Sequence, residues 1–269
     1  MDGDQAQRRE VIAGLVDLER YPIADLDSPQ ARGVIEEGRD QLARSGLCLF
    51  PGFVAPDALA AMVAEARALQ PLVHHAESWI TGVDDGADDV VHDPTRNACG
   101  AVGYDLLPKG SAIRGLYELD QLVGLFRALL GLQEFYRSAD PVSSCMPMYY
   151  REGDELGWHF DPNDGVVTLL LQKPAAGGAF EFVPGIGRKP ADFHPYLKGK
   201  REGVLVPPIE PGTLSLFRGE NSLHRVTPVV GPVPRIMLTM SFHTTPGHVF
   251  SKANRYRYSG REVEVPAPA

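Results

Sequence analysis

The chain reads as an α+β protein: a mainly helical N-terminal portion over 1–135, followed by a β-rich core over 136–269. Two observations carry this reading. Apolar residues recur at helical spacing in the first half, and from about Asp140 short β-type runs alternate with turn signals. Many short strands at such spacing suggest a sandwich or jelly roll. A third observation sets the scale, since 269 residues with 43% hydrophobic content suit one integrated domain with a full core.

Val11, Ile12, Leu15, Val16 and Leu18 predict an amphipathic helix over 5–20. Ser28-Pro29 supplies a cap and a proline at the first helical position, so a second helix runs to Ser45, with Gly46 beyond it. Leu47-Cys48-Leu49-Phe50, closed by Pro51-Gly52, reads as a buried strand. Ala55-Pro56-Asp57 opens a third helix reaching Leu69. Residues 82–112 are rich in Gly, Asp and Pro and read as a long loop, a type usually functional or mobile. A fourth helix covers 119–130 and stops at Gly131.

Strands are expected over 146–151, 166–172, 179–183, 203–206, 213–217, 224–230 and 235–244, with turns at Gly153-Asp154, Pro162-Asn163-Asp164, Gly177-Gly178 and Pro211-Gly212. The last strand is the most readable. Arg235, Met237, Thr239, Ser241 and His243 share one face, while Ile236, Leu238, Met240 and Phe242 share the other. A mostly polar face inside a β-rich core suits a binding cavity. The segment from Pro184 to Lys200 reads as a lid, with a basic cluster at Arg188, Lys189, Lys198, Lys200 and Arg201 whose default is solvated surface. The tail after Val265 should fray.

Composition excludes several classes. No run of eighteen apolar residues suggests a membrane span, and Met1 to Gln5 lacks the basic-then-apolar order of a signal peptide. The three cysteines, Cys48, Cys99 and Cys145, form no zinc pattern and no disulfide framework, which fits a reducing cytosol and a cytoplasmic protein. A net charge of −9 argues against a nucleic-acid partner and leaves a small-molecule substrate.

The chemistry-bearing residues are His159 and Asp161, in Gly157-Trp158-His159-Phe160-Asp161, and His224, in Ser222-Leu223-His224-Arg225-Val226. Two imidazoles and one carboxylate can hold a mononuclear non-haem iron(II) on one face and leave the other open. Arg235 is a fixed cation suited to gripping a dicarboxylate cosubstrate. Taken alone, His159-Phe160-Asp161 is an ordinary turn pattern. Its weight comes from order: a His-x-Asp at a strand end, a second histidine strands later, and an arginine opening the next strand. His74, His75, His92, His194 and His248 lack that context and read as solvated. Arg225 faces away from its neighbouring ligand, so a structural salt bridge is its default.

This order resembles the iron(II)- and 2-oxoglutarate-dependent dioxygenases, in particular the small hydroxylases and halogenases that act on free amino acids. The resemblance spans roughly residues 130–247, through Thr168-Leu169-Leu170-Leu171-Gln172, Gly177-Gly178-Ala179-Phe180-Glu181-Phe182-Val183-Pro184 and Pro211-Gly212-Thr213-Leu214 as well as the two histidine segments. It implies a double-stranded β-helix of the cupin-like jelly-roll kind, with the helical portion packed on it. It implies that His159, Asp161 and His224 bind iron(II), that Arg235 pairs with the distal carboxylate of 2-oxoglutarate, and that O2 is the second cosubstrate. Halogenases resemble these hydroxylases but carry Gly or Ala in place of the carboxylate, so Asp161 points to oxygen transfer and away from halogenation. The branch often places a histidine three residues before the first iron ligand, where this chain has Leu156, and a small polar residue where it has Pro162.

The leading expectation is therefore an oxygenase that hydroxylates an unactivated carbon of a free amino acid or related metabolite. Oxidative cyclisation or desaturation of an amino-acid-derived intermediate is the second reading. A cupin-like protein that binds a metal or ligand without turnover is the third. Substrate-side candidates are Tyr149 and Tyr150, one of which should point inward by alternation, together with Asn221, Thr239 and Ser241.

Overall fold

Ten antiparallel strands form one strongly curled sheet with helices packed on its outer face. In the computed structural model, residues 3–80, 95–161, 166–186 and 188–265 are described. Residues 82–94 of the expected 82–112 loop, His92 among them, the Pro162-Asn163-Asp164 turn and residues 266–269 of the expected frayed tail lie outside them.

The helices are α1 (Gly3–Ala13), α2 (Pro29–Ser45), α3 (Pro56–Ala68), α4 (Ala112–Glu118), α5 (Asp120–Leu130), α6 (Pro190–Leu197) and α7 (Lys252–Ser259). Helix α2 follows its sequence signals closely. The Ser28 hydroxyl accepts the Ala31 N–H at 3.2 Å, Pro29 occupies the first position, and Gly46 ends the helix at φ 75°, where a side chain would be strained. Its buried residues Ala31, Ile35, Gly38 and Leu42 form one stripe against the sheet. Helix α1 is shorter than expected. Gly14 follows its last residue, and the chain then turns so that Val16 bridges Val54 and the Asp17 N–H bonds Phe53 O at 2.9 Å. The tertiary bridge outweighs the helical periodicity of Leu15 and Leu18. Helix α4 precedes the expected fourth helix, with its first N–H groups taken by the Ser111 hydroxyl and the Glu65 carboxylate.

The strands of the sheet are β1 (Leu47–Phe50), β2 (His74–Ile80), β3 (Thr95–Ala101), β4 (Cys145–Tyr150), β5 (Glu155–His159), β6 (Val166–Gln172), β7 (Phe180–Pro184), β8 (Leu214–Phe217), β9 (Ser222–Val226) and β10 (Arg235–Met240). Their order is β1-β8-β6-β10-β4-β3-β5-β9-β7, with β2 paired to β3. The sheet curls until its two ends meet. Phe180 and Phe182 on β7 pack against Phe217 on β8 with ring centroids 5.1 and 5.5 Å apart, and Leu47 of β1 joins them. This is the double-stranded β-helix, built from more of the chain than the sequence indicates. Three strands, β1, β2 and β3, come from the portion read as mainly helical.

β3 also corrects the loop reading, because residues 95–101 pair with both β4 and β5. Its sequence, Thr-Arg-Asn-Ala-Cys-Gly-Ala, has little β-branched content, so pairing rather than propensity makes it a strand. Conversely, 203–206 contributes only one bridge, Leu205 to Phe182.

Alternation sorts the interior. Cys145 and Tyr149 on β4, Val167, Leu169 and Leu171 on β6, Leu214 and Leu216 on β8, and Ile236, Leu238 and Met240 on β10 are buried in the core beneath the helices. Their neighbours Met146, Met148, Tyr150, Thr168, Ser215, Arg235, Met237 and Thr239 line the inside of the curl. The helices are held to the first set by apolar burial, at about 25 cal/mol per Å2 removed from water. No helix among the described residues is long and apolar enough to cross a membrane.

Beyond β10, Phe242–His243 pairs with Tyr136–Arg137. His243 stacks on His248 with ring centroids 3.6 Å apart, and its Nε2 is buried without a hydrogen-bond partner. Burial, and then the neighbouring His248, push the His243 pKa down to about 4. As pH falls below the ordinary value of 6.5, the unfolded chain takes up a proton that folded His243 accepts only near 4, so stability drops through that window. A His243→Phe variant is expected to lose less Tm than the wild type between about pH 7 and about pH 4.5. Equal losses in thermal melts would remove His243 from acid sensitivity.

Candidate metal centre and cavity

His159 ends β5 and His224 stands in the middle of β9, and the two are directly paired across the strands. Their rings lie 3.9 Å apart between centroids. Asp161 follows β5, and its N–H donates to Gly219 O at 3.1 Å. Its Oδ1 lies 3.5 Å from His159 Nε2 and its Oδ2 lies 3.5 Å from His224 Nε2. One ligand atom from each of the three falls within 4.8 Å of the others. The side chains are 12%, 13% and 6% exposed, in chain order, which leaves a narrow open side.

Each imidazole is oriented by its own strand. His159 Nδ1–H donates to Gly157 O and His224 Nδ1–H to Ser222 O, both at 2.9 Å. That tautomer leaves both Nε2 lone pairs facing Asp161, the arrangement used when histidines ligate a metal. Burial, and then the charge of His224, lower the His159 pKa and favour the neutral ring that ligation needs. For Asp161 burial opposes ionisation, whereas charge and N–H donation from His224 and His159, when protonated, lower its pKa below the ordinary range; with both rings neutral that role passes to a bound cation. Asp161 Oδ2 is nevertheless buried with no hydrogen bond. A buried carboxylate oxygen without a donor is costly, and a cation at the convergence of the three groups would satisfy it. The N, N, O donor set fits a mononuclear iron(II).

Neighbouring groups fix the carboxylate. Arg188 donates from Nη2 to Asp161 O at 2.8 Å and from Nε to Glu220 O at 3.0 Å, with its guanidinium 5.0 Å from the Phe160 ring centroid. Gly219 lies against the carboxylate so closely that a Cβ there would collide with Asp161 Oδ2. On the outer side of the metal strands, Glu181 takes two hydrogen bonds from Arg201, both 2.6 Å, and one from Arg225 at 2.7 Å. Arg225 therefore makes the structural salt bridge expected of it, and it also stacks over Trp158 at 4.7 Å. Helix α6 packs behind these strands through Phe193 and Tyr196 on Trp158 and Leu223. Within the segment read as a lid, α6 supports the metal strands from outside through Trp158 and Leu223, and its Phe193 also meets Phe160 of the cavity lining with ring centroids 6.0 Å apart.

The triad opens into a cavity of about 410 Å3 inside the curl. Arg235 lines it and is only 3% exposed. Its Nη2 contacts Met237 Sδ at 3.6 Å and its guanidinium lies 5.4 Å from the Tyr150 ring centroid, but it makes no ion pair among the described residues. Burial lowers its pKa. An unpaired guanidinium at this depth is strongly unfavourable unless an anion joins it.

Tyr150, Thr239 and Ser241 also line the cavity. Tyr149 and Asn221 do not. Tyr149 alternates to the opposite face of β4 and donates to Ala66 O at 2.7 Å, and Asn221 is exposed and bonds Glu220 Oε1 at 2.7 Å. Four other histidines are better engaged than solvated residues. His74 and His75 lie in β2, with His75 Nε2 2.9 Å from Asp154 Oδ1. His194 Nε2 is buried, and His248 stacks on His243.

Sequence reasoning missed a whole wall of the cavity. Asn97 of β3 and Asn254, Arg257 and Tyr258 of α7 line it. Helix α7 is anchored by the buried ion pair of Arg255 Nη1 with Asp140 Oδ2 at 3.2 Å, and Asp140 also accepts the N–H groups of Val142, Ser143 and Phe250. Ser251-x-x-Asn254, in which the serine hydroxyl accepts the Asn254 N–H, was the available signal for the start of α7.

A sequence model of the family described as Halogenase D matches residues 30–249. The chain belongs to the halogenase D family. No curated protein matches its sequence. Among solved structures, the epimerase SnoN in complex with Fe3+, alpha ketoglutarate and nogalamycin RO is 16% identical, with a TM-score of 0.56 over 88% of this chain and 96% of that one. AviO1 from Streptomyces viridochromogenes Tue57 is 16% identical, with a TM-score of 0.54 over 78% and 95%. HygX from Streptomyces hygroscopicus, with nickel, 2-oxoglutarate and hygromycin B bound, is 12% identical, with a TM-score of 0.51 over 78% and 87%. At these identities the likeness establishes the fold, which this halogenase D family member shares with 2-oxoglutarate–iron(II) oxygenases.

Gly219 has no positive φ, so the backbone there accepts alanine and only the contact with Asp161 is affected. Gly219→Ala is expected to lower iron(II) affinity by about tenfold or more, within the range seen for groups that support metal ligands. A chelator-competition titration measures it; unchanged affinity would mean that Asp161 does not ligate in the position seen.

Proposed function

We propose that this protein is a non-haem iron(II)- and 2-oxoglutarate-dependent oxygenase that hydroxylates an unactivated carbon of a free amino acid or related small metabolite. The observation that carries the reading is the pairing, in one cavity, of a metal-ready triad with a buried arginine that has no counter-ion among the described residues. His159, Asp161 and His224 would hold the iron, and Arg235 would hold the distal carboxylate of 2-oxoglutarate by a charged contact. When bound, iron and 2-oxoglutarate with O2 supply the oxidising power to remove hydrogen from an unreactive carbon, 2-oxoglutarate leaving as succinate and carbon dioxide.

The chain's own residues do the rest. The Nδ1 hydrogen bonds to Gly157 O and Ser222 O fix the two rings before any metal arrives, so ligation requires little reordering. Met146, Met148, Val226 and Phe217 give the cavity apolar walls that exclude water from a reactive centre. Thr168 and Ser215, bonded to each other at 2.8 Å, add a polar contact on the lining.

Asp161 bears on the reaction type. A halide needs a metal position that the protein leaves vacant, and here a carboxylate stands at the third position with both oxygens turned to the histidines. Within a family named for halogenation, that residue favours oxygen transfer.

Two measurements test the reading. Arg235→Gln is expected to raise the apparent KM for 2-oxoglutarate by about thirtyfold or more in an iron-dependent succinate assay, the scale for losing one partner of a buried charge pair; an unchanged KM rejects the role. A mass-spectrometric screen of free amino acids with iron(II), 2-oxoglutarate, O2 and excess chloride is expected to return a product heavier by one oxygen. A chlorinated product would overturn the reaction assigned to Asp161.

A further inference from the structure

The cavity contains one more cation than iron and 2-oxoglutarate require. Arg257, on the inner side of α7, lines it beside Asn254 and Tyr258 and makes no ion pair among the described residues. Its guanidinium lies 5.4 Å from the Tyr258 ring centroid. Two carboxamides share the lining. Asn254 Oδ1 already accepts the Ser143 hydroxyl at 2.8 Å, and Asn97 Oδ1 accepts the Cys99 thiol at 3.9 Å. Each of these residues also carries an amide NH2 group that can donate. A guanidinium and two amide donors form a set that favours an anion. Among the described lining residues the only carboxylate is Asp161, which belongs to the metal triad.

This donor set is held rigidly and close to the triad. The buried Arg255–Asp140 pair and the Ser143–Asn254 hydrogen bond dock α7 onto the sheet. Asn97 sits opposite Leu156 on the strand that ends in His159.

We propose that Arg257, assisted by Asn254 and Asn97, binds a carboxylate of the substrate, and that the substrate is a small carboxylic acid whose apolar body lies along Met146, Met148 and Leu156. The proposal rests on the oxygenase reading, which assigns Arg235 to 2-oxoglutarate and leaves Arg257 for a second anion. Arg257 is then a specificity-determining residue: it anchors one end of the substrate so that a carbon further along faces the metal.

Calorimetric titrations on the protein loaded with nickel(II), a redox-inert stand-in, test this without turnover. The first titrates 2-oxoglutarate. The second, at saturating 2-oxoglutarate, titrates straight-chain carboxylic acids of about four to eight carbons, each with its matched primary amide and primary amine, a size suited to a cavity of this class. At least one acid is expected to bind about tenfold or more tightly than its amide and amine, as a charged hydrogen-bonded contact implies. Arg257→Gln should erase that preference, Arg257→Lys should keep part of it, and neither should change 2-oxoglutarate affinity. Acids binding no better than their amides, preferred amines, or an acid preference that survives Arg257→Gln would overturn the proposal. Loss of 2-oxoglutarate binding in Arg257→Gln would overturn it too, by moving the cosubstrate to this arginine. If 2-oxoglutarate fails to bind the wild type, the oxygenase reading falls first, and the two failures are told apart by the first titration.

Discussion

A carboxylate held between two imidazoles, with one oxygen denied any hydrogen bond, is the constraint on which the rest of the site depends. Asp161 is nearly buried, and burial opposes its ionisation; positive charge from protonated histidines, or from a bound cation, favours it. Such a group is stable only while its neighbours are fixed. The surrounding structure supplies this: strand carbonyls orient both rings, Arg188 fastens the peptide of Asp161, and Gly219 leaves the carboxylate its space. The arrangement is poised for a cation, since metal binding would replace the missing hydrogen bond with a stronger contact.

The curled sheet makes this possible by alternation. Strands β4, β6, β8 and β10 send one set of side chains into the helix-covered core and the other inward. The apolar outer set fixes the register, so the inner set is free to carry Arg235, Thr168 and the metal ligands. The C-terminal helix then closes one side with polar groups. Two buried arginines differ in their partners: Arg255 on that helix is satisfied by Asp140 and fixes it, whereas Arg235 on β10 has no ion-pair partner among the described residues. The same contrast separates Arg225 and Arg201, both consumed by Glu181, from Arg257.

What was legible in the sequence was local or periodic. Ser28 and Gly46 bound α2 because capping is a property of a few adjacent residues. The alternation from Arg235 to Ser241 placed Arg235, Met237, Thr239 and Ser241 on the cavity lining because period two leaves no other arrangement. The order of His159, Asp161 and His224 marked them as candidates to meet, but not that β5 and β9 pair so that the two histidines stand opposite each other. Non-local features were hidden. Strand β3 reads as loop because its strand state comes from pairing with β4 and β5. Tyr149 and Tyr150 could not be told apart until the parity of β4 was known. Asn221 looked site-like beside His224, but a short helical turn carries it to the surface. Helix α7 is highly charged, with Arg255, Arg257 and Lys252, and nothing in that composition tells that one arginine is buried against Asp140 while another lines the cavity.

The central claim is that these three side chains and Arg235 form one iron and 2-oxoglutarate site. Crystals grown without oxygen and loaded with iron(II) and 2-oxoglutarate, with data collected on both sides of the iron absorption edge, test it most directly. A single anomalous peak about 2 Å from His159 Nε2, His224 Nε2 and an Asp161 oxygen is predicted, with the cosubstrate's distal carboxylate on Arg235. An iron peak elsewhere, or 2-oxoglutarate bound away from Arg235, would contradict it.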